Sequence, residues 1–135
     1  MARRLILDTA VLITSERNGF ALDQLLDEAD DVAIAAITVA ELLVGVELAD
    51  ADRRPARMAF IDELLQVIPV QDYTLGVARA HAMLLACTRR QGRSRGAHDL
   101  VIAATARATG RTVVTSDAAA CFADLPGVNA LVVPG

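Results

Sequence analysis

Residues 3–9 read Arg3-Arg4-Leu5-Ile6-Leu7-Asp8-Thr9, and the lack of any polar side chain between Arg4 and Asp8 decides how the chain is read. A strand with one wet face alternates apolar and polar residues. A continuous apolar run that ends in an acid fits a strand covered on both faces, the environment of a parallel sheet. Similar runs recur at Val32–Ile37, Ile68–Val70, Thr112–Thr115 and Ala130–Val133. Helical periods lie between them: Ala21–Ala29 with Leu22, Leu25 and Leu26 on one face, Val39–Leu48, and a helix that opens near Pro55 and runs to Val67. Two more follow, Tyr73–Thr88 and the nearly all-apolar His98–Ala108, which Gly110 stops. Buried strands alternating with helices predict an α/β, three-layer fold: a five-stranded parallel sheet with helices on both faces.

At 135 residues the chain is expected to be one domain spanning 1–135. With 54% hydrophobic residues and 3% aromatic ones, its core is aliphatic. All 13 basic residues are Arg, so chemistry that needs an amine, such as a P-loop lysine or a Schiff base, is excluded. A net charge of −4 argues against coating nucleic acid by bulk charge and leaves room for a local basic patch. Cys87 and Cys121 are too few for a disulfide framework and lack zinc-ligand spacing, so both are read as reduced core residues. Asp8 interrupts the N-terminal apolar run before it resembles a signal peptide, and other apolar runs fall short of the roughly 20 residues of a membrane span. A cytoplasmic protein is expected.

Four acids interrupt apolar sequence: Asp8, Glu41, Asp99 and Asp117. Each has a purely structural reading. Thr38-Val39-Ala40-Glu41 fits a capping box, Asp99 a favoured charge in a first helical turn, Asp117 an N-cap for Ala118 onward, and Asp8 a strand end. Their joint placement says more. In a parallel sheet all strand C-termini share one edge, so Asp8 and Asp117 lie there. Helices that lead into parallel strands start at the same edge, which brings in Glu41 and Asp99. Ligands of open α/β sheets bind at this edge. Gathered carboxylates repel one another unless protons or cations compensate. An all-oxygen set suits Mg²⁺ or Mn²⁺, ions that activate water and neutralise charge at a phosphoryl centre. The chemistry implied is phosphodiester hydrolysis.

The order Leu7-Asp8-Thr9, Ile37-Thr38-Val39-Ala40-Glu41-Leu42, His98-Asp99-Leu100-Val101-Ile102-Ala103-Ala104-Thr105-Ala106 and Val114-Thr115-Ser116-Asp117 closely resembles the PIN-domain ribonucleases, especially the VapC-type toxins of bacterial toxin–antitoxin pairs. The resemblance spans essentially the whole chain. It implies a Mg²⁺- or Mn²⁺-dependent endoribonuclease, a homodimer, and inhibition by a cognate antitoxin. By the motif match Asp8, Glu41, Asp99 and Asp117 form the acidic quartet, with Thr115 the hydroxyl that orders it. Asp8, Asp99 and Asp117 are the implied metal ligands, Asp8 and Asp99 foremost. Many relatives carry a further Asp-Phe pair after the last acid; here the stretch is Ala120-Cys121-Phe122, so one metal site is supported and a second stays open.

Beyond the acids, the densest basic cluster is Arg89, Arg90, Arg93 and Arg95, in a loop entering the helix that carries Asp99. Arg93 and Arg95 are candidate contacts for RNA phosphates, and a solvated loop is the equal alternative. Tyr73 and the scattered Phe20, Phe60 and Phe122 make no stacking platform for bases. His81 is read as structural; His98, next to Asp99, is read as simply exposed at a helix start, with contact to substrate the alternative. Apolar faces around Leu42, Leu43, Val46 and Leu48 and around Phe60, Leu64 and Leu65 are either core or a partner surface. The alternative to a nuclease is a catalytically silent scaffold of the same fold that binds RNA or protein. It has no reason to keep four mutually repelling acids. An aspartyl-nucleophile phosphatase would want a second Asp where Ala10 stands, and a Lys the chain lacks.

Overall fold

In β1 (Arg4–Leu7) Leu5 and Leu7 point into one core and Ile6 into the other. The same division holds in β4 (Thr112–Thr115), where Val113 and Val114 face opposite sides. This is why the strands show no polar alternation: both faces of the sheet are covered. The computed structural model describes residues 2–18 and 26–134. All five strands are parallel, in the order β3-β2-β1-β4-β5, with β2 at Asp31–Ala35, β3 at Val70–Gln71 and β5 at Ala130–Val132. The expected α/β architecture, a five-stranded parallel sheet between helical layers, is the one observed.

One layer comprises α1 (Thr9–Asn18), α2 (Ala36–Leu48) and α3 (Arg54–Val67). Its core contains Val11, Leu12, Leu42, Val46, Ile61 and Leu64 together with Leu5, Leu7 and Ile34 of the sheet. The other layer comprises α4 (Leu75–Arg90) and α5 (Ala97–Thr109). In α5 the small side chains of Ala103, Ala104 and Ala106 are fully buried, which lets its backbone lie close to its neighbours. Gly110 closes this helix in the left-handed conformation (φ 65°) that glycine adopts without steric cost. The buried area is almost wholly aliphatic, with Phe122 the one large aromatic fully inside among the described residues.

Several boundaries differ from the sequence reading. α1 was not foreseen, because Thr9, Val11, Ile13 and Thr14 are β-branched and propensity disfavours a helix there. Asp8 overrides this by capping it: Oδ1 accepts from the Val11 N–H at 2.9 Å. α2 begins at Ala36, three residues before the expected start, so Ile37 leaves the strand and Thr38 is a buried residue of the first turn. No side chain caps this helix, which sets aside the Thr38–Glu41 capping box. β3 lies two residues beyond the expected Ile68 start. α4 starts at Leu75 on a Thr74 cap whose hydroxyl accepts from the Val77 N–H, and it runs on through Arg89 and Arg90. Those two arginines therefore belong to a helix end, where positive charge complements the dipole, and only Gln91–Gly96 form the loop. The expected helix at Ala21–Ala29 falls outside the described residues over 21–25, and 26–29 are not helical.

The two apolar faces in question divide. Leu42, Val46 and Leu64 are core, Phe60 is half-buried, and Leu43, Val44, Leu48, Leu65 and Val67 are exposed. Cys87 and Cys121 are free thiols as expected, but neither is a core residue: Cys87 is half-buried and Cys121 exposed. Among the described residues no helix is long and apolar enough to cross a membrane.

Candidate active site

The strand order 3-2-1-4-5 places the reversal of winding between β1 and β4. The chain leaves the C-terminal ends of these two strands to opposite sides, through α1 after β1 and through short 3₁₀ turns after β4, which opens a crevice at that point. Asp8 is the first residue after β1 and Asp117 lies two beyond β4. Pairing of Leu7 with Val114 and the bond from the Asp8 N–H to the Val114 carbonyl (3.0 Å) set Thr115 beside Asp8.

Thr115 joins the two strand ends. Its side chain is buried (1% exposed); the hydroxyl donates to Asp8 Oδ2 at 2.5 Å and accepts from the Asp117 N–H at 3.0 Å. Asp117 in turn caps the short 3₁₀ turn Ala118–Ala120, with Oδ1 accepting from the Ala119 N–H at 3.0 Å. One oxygen of Asp117 thus has the structural task read from the sequence, and the residue is exposed.

Glu41 and Asp99 come from the two helices that begin at the same edge. Glu41 lies in the second turn of α2, where Thr9 Oγ1 donates to its Oε1 at 2.7 Å and His98 Nδ1 lies 3.2 Å from its Oε2. Asp99 stands in the first turn of α5, folded back so closely over Gly96 that a Cβ there would come within 3.2 Å of its Oδ2. Thr9 was missed by the sequence reading, although its place directly after Asp8 was a usable signal. His98 is exposed as expected, and it also reaches Glu41.

The electrostatics couple these acids. Burial pushes the Asp8 carboxyl above its ordinary range, the Thr115 and Val11 donors oppose this, and the charges of Asp99 and Asp117 add to it. Burial likewise raises Asp99, reinforced by Glu41 and Asp117 and opposed by His98 and Arg95. Charge repulsion thus links Asp8, Glu41, Asp99 and Asp117, the four residues picked from the sequence. Among the described residues no three acidic, imidazole or thiol groups close up into a finished ligand cage. Hydrogen bonds from their own neighbours engage Asp8, Glu41 and Asp117 instead. The donor set still fits a hard divalent cation: it is all oxygen, partly buried, and carries unrelieved negative charge of the kind such an ion neutralises.

Beside Asp99 and Asp117 lies a cleft of about 210 Å³ whose lining includes Arg93, Arg95, Gly96 and Cys121. The two arginines differ. The Arg93 side chain is 50% exposed and makes one long ion pair with Asp124 (3.7 Å), whereas Arg95 is tied to backbone carbonyls. A larger hollow, about 730 Å³, is bordered by Asp27, Asp30, Ile68 and Pro69 at the opposite ends of the strands. It holds none of the four acids, and size alone does not make it the site.

Comparison with known proteins places this geometry in a wider set. The PIN domain family model matches residues 5–127. Ribonuclease VapC5 of Mycobacterium tuberculosis is 37% identical over 115 residues, covering 83% of this chain and 82% of the relative. The tRNA(fMet)-specific endonuclease VapC of Shigella flexneri is 31% identical over 121 residues, covering 84% and 86%. The crystal structure of VapBC-5 from Mycobacterium tuberculosis, a member of the VapBC family of toxin–antitoxin systems, matches with a TM-score of 0.77 and 30% identity over 96% of this chain and 98% of that one.

Proposed function

This chain belongs to the PIN-domain family, and from that premise we propose that it is a divalent-metal-dependent endoribonuclease, the toxin of a toxin–antitoxin pair. The observation that supports this most is the Thr115 hydroxyl at the switch point of the sheet, bonded to Asp8 and to the Asp117 backbone, with Asp99 in charge contact with both acids. A silent scaffold gains nothing from that arrangement, which leaves buried carboxyls strained by repulsion.

In this proposal Asp8, Asp99 and Asp117 hold one Mg²⁺ or Mn²⁺. When bound, the ion supplies an activated water and offsets charge developing on the phosphoryl group. Thr115 keeps Asp8 and Asp117 at a fixed spacing. Glu41, with Oε1 engaged by Thr9 and Oε2 beside the His98 ring, adds its negative charge to the edge that holds the cation. Arg93, half exposed on the rim of the cleft, holds an RNA phosphate. Arg95, assigned the same task from sequence, has its guanidinium committed elsewhere. The exposed apolar side chains of α2 and α3 offer contact to protein partners, a second copy of the chain and an antitoxin, and the enzyme acts in the cytoplasm where its RNA is.

Unopposed expression is therefore expected to arrest bacterial growth, and Asp99→Ala to restore growth at equal protein level. Counting viable cells after induction checks this. Arrest that persists in the Asp99→Ala strain contradicts a catalytic cause.

A further inference from the structure

Arg95 enters the site from the loop before α5, and its bonding is unusual. Nη1 donates to the carbonyls of Ala120 (3.0 Å) and Cys121 (3.1 Å), while Nε and Nη2 are buried with no protein partner. Burying unpaired donors of a charged group is costly. The two carbonyls belong to the junction of two short 3₁₀ turns. Cys121 is the one described non-glycine residue with positive φ (50°), a conformation that L-residues with a side chain adopt at a steric cost. This junction ends the turn capped by Asp117 and starts Phe122–Asp124, whose Phe122 is anchored in the core.

Two segments that carry acids of the site thus meet through one side chain. Asp117 sits just before the junction, and Asp99 lies four residues after Arg95. The charge of Arg95 also favours the ionised form of Asp99 against the repulsion of Glu41 and Asp117. The outer pair Arg93–Asp124 is exposed and adds little by itself.

We propose that Arg95 is a positioning residue: it latches the turn after β4 to the entry of α5 and so sets the separation of Asp117 from Asp99 across which a cation is shared. This rests on the nuclease reading above. A direct grip on RNA fits the geometry less well, since one nitrogen of the guanidinium is engaged by carbonyls and the other two are enclosed. Arg93 is the arginine a phosphate reaches.

The test compares the whole wild-type chain with Arg95→Met and Arg95→Lys. Amide exchange of residues 118–122 reads the latch, calorimetry with Mn²⁺ alone reads the cation, and RNA binding in chelator across a salt series reads phosphate contact. In Arg95→Met the exchange should rise about 10-fold and Mn²⁺ affinity fall about 10–100-fold, as for loss of groups that orient metal ligands. The kcat should fall in step while RNA affinity and its salt slope hold. Arg95→Lys, which retains a donor and the charge, should recover most of the loss. Unchanged exchange and Mn²⁺ affinity in Arg95→Met, with wild-type protein binding Mn²⁺ and cutting RNA, overturns the latch alone. Weaker RNA binding with a flatter salt slope overturns it in favour of phosphate contact. Wild-type protein that neither binds Mn²⁺ nor cuts RNA overturns the nuclease reading and the cation-sharing role with it, whatever the exchange shows.

Discussion

Asp8→Asn is expected to lower metal-dependent RNA cleavage by about 10³-fold, because a bound ion contributes several kcal/mol of transition-state stabilisation and each 1.36 kcal/mol is tenfold in rate. The fold should survive. Asn keeps one oxygen to cap α1, and its amide nitrogen, standing where Oδ2 was, donates to the Thr115 oxygen instead of accepting from its hydroxyl. Without metal the variant should be the more stable protein at neutral pH. Asp8 and Asp99 both have folded-state pKa values above the ordinary 3.8, so in this range the native state binds protons more tightly than the unfolded chain. Their penalty is absent below the unfolded value and grows as pH rises toward and through the folded one. Melting curves from pH 3.5 to 7.5 in chelator check this as a difference: the stability of Asp8→Asn relative to wild type rises across that window, while Asp30, which Arg3 holds down to about 2, acts in the opposite direction in both proteins alike. Mn²⁺ should raise the melting temperature of the wild type, by about 2.7 kcal/mol of stability at 100-fold excess over Kd, and leave the variant nearly unmoved. A variant whose stability tracks wild type across that window and that still responds to Mn²⁺ contradicts the assignment of Asp8.

The largest expected effect on stability is that of Phe122→Ala, a loss of about 3–5 kcal/mol. Phe122 is 2% exposed and shares a core cluster with Ala103, Ala106, Leu125 and Val128. Ala103 and Ala106 are small and fixed in α5, so they collapse poorly into the space an aromatic ring leaves. Urea unfolding measures the loss, and Phe122→Leu should recover most of it. A change below about 1 kcal/mol in Phe122→Ala would mean that the turn after β4 is not anchored there.

How much of this was legible in the sequence varies with the physics behind each feature. The unbroken apolar runs at Leu5–Leu7 and Thr112–Thr115 report burial on both faces, a property of the strand itself, and they located the sheet. Gly110 and Pro55 mark helix ends for local steric reasons, and both were read correctly. α1 was hidden because β-branched residues follow Asp8, and only the tertiary setting, with the Asp8 cap and packing on Leu5 and Leu7, makes them helical. The start of α2 was misplaced for a related reason: Ile37 and Val39 look like strand, and Thr38 like a cap, until the neighbouring Thr9 hydroxyl and the core are in place.

For the site, strand C-termini and helix starts sufficed to bring Asp8, Glu41, Asp99 and Asp117 to one edge, since that follows from parallel topology. What topology does not specify is which neighbour holds which oxygen. Thr9 on Glu41 and Arg95 on the Ala120 and Cys121 carbonyls are long-range contacts with no periodicity to announce them. The arginine loop illustrates the limit best. Arg93 and Arg95 are equivalent in sequence, and the fold separates them into an exposed charge and an enclosed latch.

The central claim is that these four carboxylates make a metal-dependent ribonuclease. It is tested most directly by incubating purified protein, free of any inhibitor, with a mixed pool of structured RNAs in Mg²⁺, Mn²⁺ or chelator, with Asp99→Asn in parallel. Discrete cuts that need the metal and vanish in the variant are expected. Cuts that persist in chelator, or that Asp99→Asn makes equally well, would contradict it.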